Sequence, residues 1–169
     1  MTPTKQTIGI IGSGNIGGGL ARAFTRAGYR VVIANSRGPA TLGTLVAELG
    51  ELASAGTVEQ AAQASNLVVV TIPLKAVASI ASDLLTGRVV IDTNNYYPDR
   101  DGHIAELDDE VLTTSEYVAR HFAGATVVKA FNHIPALDIA KHAQPAGTPE
   151  RRALMVYGED AAAVEHVAA

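Results

Sequence analysis

The chain has 169 residues, of which 47% are hydrophobic and 18% are charged. This length is typical of a single domain, and the hydrophobic fraction is sufficient for a core and argues against disorder. Acidic residues outnumber basic ones by 17 to 13, and the basic residues are scattered, which argues against nucleic acid or an anionic membrane surface as a partner. The sequence contains no cysteine, which excludes disulfides, thiolate nucleophiles, iron–sulfur clusters and cysteine-based zinc sites.

Hydropathy argues against a membrane or secreted protein, and histidine spacing argues against a metal site. No apolar run approaches the roughly 20 residues needed to cross a bilayer, and the residues before Ile8 lack the apolar core of a signal peptide. We therefore expect no membrane partner and a cytoplasmic location. None of the five histidines is spaced as H-x-H or H-E-x-x-H, so we expect no metal site.

Short Val- and Ile-rich runs recur along the chain, and helical, Ala-rich segments lie between them. The runs are apolar at consecutive positions, which is typical of parallel strands covered on both faces. Strands are predicted at residues 7–11, 30–34, 67–72, 88–92, 126–130 and 153–157, with a weaker one near 52–55. Helices are predicted at 15–27, 40–49, 57–64, 74–84, 114–122, 135–142 and 160–168. This alternation predicts an α/β fold, a Rossmann-type doubly wound parallel sheet in which residues 1–169 form one domain.

The first predicted strand leads directly into a glycine-rich loop, with Gly12, Gly14 and Gly17 spaced as G-x-G-x-x-G. Between a strand and a helix this pattern is typical of dinucleotide binding, although a structural turn would show it too. Gly12 permits a sharp turn, Gly14 lets a pyrophosphate approach the backbone, and Gly17 lets the helix pack closely on the strand. Free N–H groups at the helix start hold the phosphate charge. The predicted phosphate site consists of Gly12, Ser13, Gly14, Asn15, Ile16 and Gly17.

The end of the second predicted strand distinguishes the two nicotinamide dinucleotides. An NAD site usually has an Asp or Glu there, which binds the ribose hydroxyls and would repel a 2′-phosphate. Here the strand is followed by Asn35, Ser36 and Arg37, without a carboxylate. A hydroxyl and a guanidinium are suitable donors for a phosphate, so we predict NADP as the cofactor. The alternative interpretation of Arg37 is a solvated arginine in a surface turn.

Three other strand ends should surround one crevice, because ligands of open α/β sheets lie beyond the carboxyl ends of the strands. These ends are Thr71–Leu74, Asp92–Tyr97 and Ala130–Pro135. Pro73 and Pro135 are typical of the first turn of a helix. The connection over residues 93–113 has no predicted element, and loops of that length in compact domains are commonly functional.

The polar residues at these strand ends leave several roles open. The asparagines could bind a carboxamide or a planar heterocycle, or Asn95 could shape a turn. His133 could touch a substrate or be a hydrogen-bonded structural histidine. No residue is singled out as catalytic, and the candidates for the acceptor pocket are Asn94, Asn132 and His133. The chain has no G-x-S-x-G elbow and no Walker A loop, which argues against hydrolysis and phosphate transfer.

In combination these segments resemble the NADPH-dependent coenzyme F-420 reductases, also called deazaflavin:NADP oxidoreductases. The matching segments are IGIIGSGNIGGGLARAF, NSRG, VVVTIP, VVIDTNN and VVKAFNHI, in that order. The resemblance runs from Ile8 to about Glu159. The glycine and NSR motifs are specific for NADP binding, whereas the later motifs are shared with pyrroline-5-carboxylate reductases and membrane metalloreductases.

The resemblance implies roles for residues at the crevice. Thr71, Ile72 and Pro73 would border the cofactor, and Asn94, Ala130 and Asn132 would lie near the nicotinamide or the hydride acceptor. Family members continue past the last helix with structure that helps to build the acceptor pocket. The domain could therefore lack a C-terminal portion of the family fold.

The expected activity is hydride transfer between NADPH and a deazaflavin, with coenzyme F-420 as co-substrate. Such transfer needs little side-chain chemistry, because the cofactor carries the reaction and the protein orients it. Two alternatives stay open: an NADPH-dependent reductase of flavin, ferric ion or a small imine, and a non-catalytic NADP-binding module that senses redox state. We also expect a homodimer, because a final helix without a following strand would leave an apolar flank or a sheet edge uncovered.

Overall fold

The computed structural model of the chain describes residues 5–139, 141, 144–145 and 147–169. Within these residues the strands are β1 (Lys5–Ile11), β2 (Tyr29–Ala34), β3 (Ala53–Ala55), β4 (Leu67–Val70), β5 (Val89–Asp92), β6 (Thr126–Ala130) and β7 (Val156–Tyr157). They form one sheet in the order β3-β2-β1-β4-β5-β6-β7. Every neighbouring pair is parallel except β6 and β7, which are antiparallel.

The helices described are α1 (Asn15–Arg26), α2 (Gly43–Leu49), α3 (Val58–Gln63), α4 (Pro98–Asp101), α5 (Ala105–Asp108), α6 (Thr114–His121) and α7 (Ala161–Ala168). Helices α3 and α6 each begin with a capping box, in which a threonine side chain and the Gln or Glu three residues later satisfy free backbone N–H groups. Short 3₁₀ helices lie at Pro39–Leu42, Leu74–Ser79 and Ala136–Asp138.

The sheet is covered on both faces, which explains its consecutive apolar residues. Successive side chains of β4 point to opposite sides, and all four are buried. Val69 packs with Leu20 of α1 on one face, whereas Val70 packs with Ala61 of α3 and Phe122 on the other. The predicted doubly wound α/β architecture is confirmed.

Three local predictions are wrong. The predicted helix at 74–84 is a 3₁₀ helix over Leu74–Ser79 followed by turns, because the buried residues there (Leu74, Val77 and Ile80) recur every third position, as one side of a 3₁₀ helix does. The last predicted strand is two residues long and antiparallel. The connection over residues 93–113 is not free of regular structure, because it contains α4 and α5.

The segment after β6 also differs from its prediction. Pro73 and Pro135 do not lie in the first turn of a helix: each precedes a 3₁₀ helix with extended backbone, at ψ 139° and 136° respectively. The helix predicted at 135–142 is described only as the 3₁₀ helix Ala136–Asp138, and residues 140 and 142 lie outside the described residues. The single chain does not test the expected homodimer, which stays a prediction.

Helix α3 lies directly on the backbone of β1, at a position where the strand has no side chain. A Cβ atom at Gly9 would lie 2.0 Å from the carbonyl oxygen of Ala61. The helix and the strand therefore approach more closely than any other residue at this position would allow.

We expect Gly9→Ala to destabilise the protein by about 1–3 kcal/mol, because the methyl group must push α3 away from the sheet. The matched control is Gly43→Ala in α2, where a Cβ atom has no neighbour within 4 Å. This control should leave stability unchanged or raise it slightly, because alanine favours helix. Urea unfolding of both variants measures the difference, and equal midpoints would contradict the close contact.

Candidate functional site

The G-x-G-x-x-G motif, which spans the turn after β1 and the start of α1, leaves no room for side chains at two of its glycines. Gly12 has a φ of 115°, which favours glycine, and a Cβ atom there would lie 2.0 Å from the carbonyl oxygen of Thr71. A Cβ atom at Gly17 would lie 1.9 Å from the carbonyl oxygen of Gly12. These two glycines therefore let the turn, α1 and the end of β4 pack together.

Gly14 differs from the other two glycines of the motif. It is exposed, its φ is −70°, and a Cβ atom there would have no neighbour within 4 Å. It is the N-cap residue of α1, no side chain caps that helix end, and the first turn has no acidic residue. Open space above an uncapped helix N-terminus is suitable for a phosphate group.

Asn35 connects the end of β2 to this turn. Its side-chain nitrogen lies 3.1 Å from the hydroxyl oxygen of Ser13 and 3.0 Å from that of Thr41, and its oxygen accepts the backbone N–H of Arg37 at 2.9 Å. The predicted cofactor residue Asn35 is thus already bound to protein groups. Its effect is to fix the turn that carries Ser36 and Arg37 beside the glycine loop.

Ser36 and Arg37 lie on the surface of that turn, and both are exposed. In the described part of the chain, the guanidinium of Arg37 makes no hydrogen bond or ion pair with another side chain. No carboxylate follows β2, since the residues there are Asn35, Ser36, Arg37 and Gly38. The turn therefore presents donors for a phosphate and no charge that would repel one.

A crevice of about 300 Å³ lies beyond the carboxyl ends of β4, β5 and β6, next to the N-terminus of α1. The three segments expected to meet there do so. The lining includes these predicted residues: Gly14, Asn15, Ile16, Thr71, Ile72, Pro73, Asn94 and Asn132. It also includes Thr93, Phe131 and Ile134, which lie within the predicted strand-end segments, and Arg100, which sequence reasoning did not assign to the site.

Two predicted site residues lie elsewhere. The side chain of Ala130 is 2% exposed and packs in the apolar cluster on the α1 face, with Leu20 and Ile134, because strand alternation turns it away from Lys129. His133 is exposed, and its Nε2 atom accepts the backbone N–H of Met155 at 3.1 Å. Neither lines the crevice, so the structure favours the hydrogen-bonded structural interpretation of His133.

Asn94 is the most distinctive side chain of the crevice. It is 4% exposed, and its side-chain nitrogen has no hydrogen-bond partner among the described residues. An unsatisfied buried amide costs about 1–3 kcal/mol, which a ligand with an oxygen acceptor would recover. The residues therefore fit a nicotinamide, whose carboxamide oxygen is such an acceptor.

Two asparagines that line the crevice, Asn95 and Asn132, are joined by a hydrogen bond. The side-chain nitrogen of Asn95 donates to the backbone carbonyl of Asn132 at 2.8 Å. Between the strand end and Asn132, Phe131 has a φ of 61°, a conformation that bulky residues rarely adopt. The hydrogen bond from Asn95 therefore holds a strained turn in place, so Asn95 has a structural contact in addition to its position at the crevice.

The outer rim of the crevice is organised by Asp101, whose side chain is fully buried. Burial raises the pKa of its carboxyl, but the Arg100 guanidinium and the backbone N–H of Tyr97 outweigh this and bring the pKa below its ordinary value. Arg100 also lies over the Tyr97 ring, 4.8 Å from its centroid, and donates to the carbonyl of Asn95 at 2.7 Å. The length of the 93–113 connection was the only sequence signal for this rim.

Two absences concern only the described ranges. No helix there is long and apolar enough to cross a membrane. No three His, Asp or Glu side chains there come together in a group that could hold a metal ion.

Residues 7–96 match the model of the family described as NADP oxidoreductase, coenzyme F420-dependent. Among curated proteins, Metalloreductase STEAP3 from Rattus norvegicus is 30% identical over 131 residues, which are 76% of this chain. The chain spans about a quarter of that relative, since the match covers 25% of its length.

Solved structures extend the similarity to the whole fold. Hypothetical protein SMa0349 from Sinorhizobium meliloti is 33% identical with a TM-score of 0.81, covering 99% of this chain and 80% of that one. A protein from Arthrobacter sp. FB24, described provisionally as an F420-dependent NADP reductase, shares the fold at 24% identity, with a TM-score of 0.79 and coverage of 97% and 78%. The family match confirms the resemblance inferred from the sequence motifs. The chain belongs to the coenzyme F420-dependent family of NADP oxidoreductases.

Proposed function

We propose that the protein transfers hydride between NADPH and a deazaflavin, coenzyme F420, at the crevice beyond β4, β5 and β6. The observation that carries this proposal is the unpartnered amide of Asn94 in a crevice that continues to the open space above Gly14. One end of the site offers phosphate contacts, and the other offers a buried donor for a carboxamide. NADP(H), when bound, supplies or accepts the hydride.

The protein's own groups would bind and orient the nucleotide. The space above Gly14 and the N-terminus of α1 would hold the pyrophosphate, and Ser36 and Arg37 would bind the 2′-phosphate. Asn94 would donate to the carboxamide oxygen, which fixes the rotation of the nicotinamide ring. Such orientation is the main protein contribution to hydride transfer.

The chemistry of the lining supports a ring-to-ring transfer. Of the side chains that line the crevice, only Tyr97 and Arg100 are titratable. Reduction of a carbonyl needs a proton donor at the reacting atom, whereas a deazaflavin accepts the hydride at a ring carbon and takes up the accompanying proton from water at a ring nitrogen. A deazaflavin acceptor follows the family description and suits a site with few acid–base groups.

Gly14→Val should abolish NADPH binding, because the side chain fills the space proposed for the pyrophosphate. The variant should fold normally, since the position is open and its φ of −70° suits any residue. NADPH fluorescence titration measures binding, and circular dichroism checks the fold. Gly14→Ala, with a smaller side chain, should show an intermediate loss. Undiminished binding by Gly14→Val would place the phosphate site elsewhere.

Arg37→Ala should remove most of a preference for NADP(H) over NAD(H), leaving the affinity for NAD(H) nearly unchanged. One charge-assisted contact of about 1.5–3 kcal/mol corresponds to a preference of about tenfold or more. Arg30→Ala is the matched control, because it removes the same charge from an exposed position at the opposite end of β2. Calorimetric titration with both nucleotides tests this. An equal loss of both affinities in Arg37→Ala would contradict a 2′-phosphate contact.

The acceptor is tested by steady-state assays of the wild-type protein with NADPH and coenzyme F420, followed by the loss of visible absorbance of the deazaflavin. We expect reduction of the deazaflavin, with His133→Ala slowed only modestly because that side chain does not line the crevice. Parallel assays use FMN, a ferric chelate and a cyclic imine. Reduction of one of these without the deazaflavin would support the alternative reductase. Nucleotide binding without any turnover would support the non-catalytic module.

A further inference from the structure

A buried ion pair lies directly behind the crevice. Asp92 ends β5, and Lys129 is its neighbour in the register of β6. The Lys129 ammonium donates to the Asp92 carboxylate at 2.9 Å, and their side chains are 11% and 0% exposed. Neither residue lines the crevice.

The pair holds both backbone polar groups of Asn94. The other carboxylate oxygen of Asp92 accepts the N–H of Asn94 at 2.8 Å, an arrangement typical of an Asx-turn. The Lys129 ammonium also donates to the carbonyl oxygen of Asn94. The residue with the unpartnered side-chain amide is therefore fixed at its N–H by an anion and at its carbonyl by a cation.

The sheet itself does not require this pair. The backbone ladder between β5 and β6 already joins residues 89–92 to residues 126–129, and valines occupy half of these positions. Removing two charges from water is unfavourable, and apolar residues of similar size often serve as well. Burial raises the pKa of the Asp92 carboxyl even though Lys129 opposes the shift. The contacts with Asn94 supply a reason for keeping charged residues here.

We propose that Asp92 and Lys129 are positioning residues, which fix the backbone of Asn94 so that its side-chain amide donates to the carboxamide oxygen of the nicotinamide. This inference rests on the proposed function, because it requires that the nicotinamide of the cofactor binds beside the Asn94 side-chain amide. The Asn94 amide lies near enough to the Asp92 carboxylate to lower the pKa of that carboxyl, but the two groups make no hydrogen bond of normal length and angle. Its donor capacity is therefore available to a ligand.

The test compares two ligands that differ by the nicotinamide end: NADPH, and 2′,5′-ADP, which contains only the adenosine phosphates. Asn94→Leu should weaken NADPH binding about tenfold or less, the value of one hydrogen bond, without changing the affinity for 2′,5′-ADP. Lys129→Met replaces the lysine by an uncharged side chain of similar length, and it should weaken NADPH binding to a similar extent. Calorimetry with each ligand gives both dissociation constants without any acceptor.

A double-mutant cycle separates positioning from general stabilisation. If the pair acts through Asn94, the variant Asn94→Leu/Lys129→Met should bind NADPH no more weakly than Asn94→Leu alone. Val128→Ala is the control for stability, because this neighbouring residue of β6 is buried and lies away from the crevice. It should lower the melting temperature and leave both dissociation constants unchanged.

A second variant avoids leaving one buried charge without its partner, in case Lys129→Met does not fold. Asp92→Asn/Lys129→Met removes both charges together and should fold, with the same selective loss of NADPH affinity. Wild-type NADPH affinity in this variant, an equal loss of 2′,5′-ADP affinity, or additive effects in the cycle would each overturn the inference. Absence of deazaflavin turnover by wild type, with the binding results as expected, would instead overturn only the proposed acceptor.

Discussion

The backbone junction at Gly12 determines where the rest of the site lies. The N–H of Gly12 donates to the carbonyl of Ala34 at the end of β2, and the N–H of Thr71 donates to the carbonyl of Ile11, both at 2.9 Å. The ends of β1, β2 and β4 thus meet at one point, where only a residue without a side chain fits. Helix α1 starts three residues after that point, at Asn15, so its N-terminus faces the crevice beyond the neighbouring strands.

The same motif would serve the fold and the proposed nucleotide through different glycines. At Gly12 and Gly17, backbone carbonyl groups occupy the space that a side chain would need, so the role of these glycines is to allow close packing. A Cβ atom at Gly14 would have no neighbour within 4 Å, so nothing in the fold requires glycine there. A position that is free of structural demands within a tightly packed motif is best explained by a ligand that needs the space.

The sequence predicted the strands well, because consecutive apolar residues are required in a sheet covered on both faces. It failed where the outcome depended on which face of the sheet a strand residue points to, or on a contact between residues far apart in the sequence. Ala130 and Lys129 differ by one position and point to opposite faces, which a short apolar run cannot reveal. The contact between Lys129 and Asp92 joins residues 37 positions apart. β7 has only two residues, too few to show any periodicity that would fix its direction.

The polar groups around the crevice are each held in place by hydrogen bonds to neighbouring protein groups. Asp101 fixes the rim and Asn95 holds the strained turn at Phe131, while the pair behind Asn94 fixes its backbone. A strained backbone persists only where its surroundings determine it, and rigid supports of this kind are suited to holding two reactants in a defined orientation. Because few groups of the lining can exchange a proton, orientation is the contribution that this protein would make to the proposed hydride transfer. The proposed chemistry would therefore depend on the arrangement of amides and buried charges more than on any single side chain.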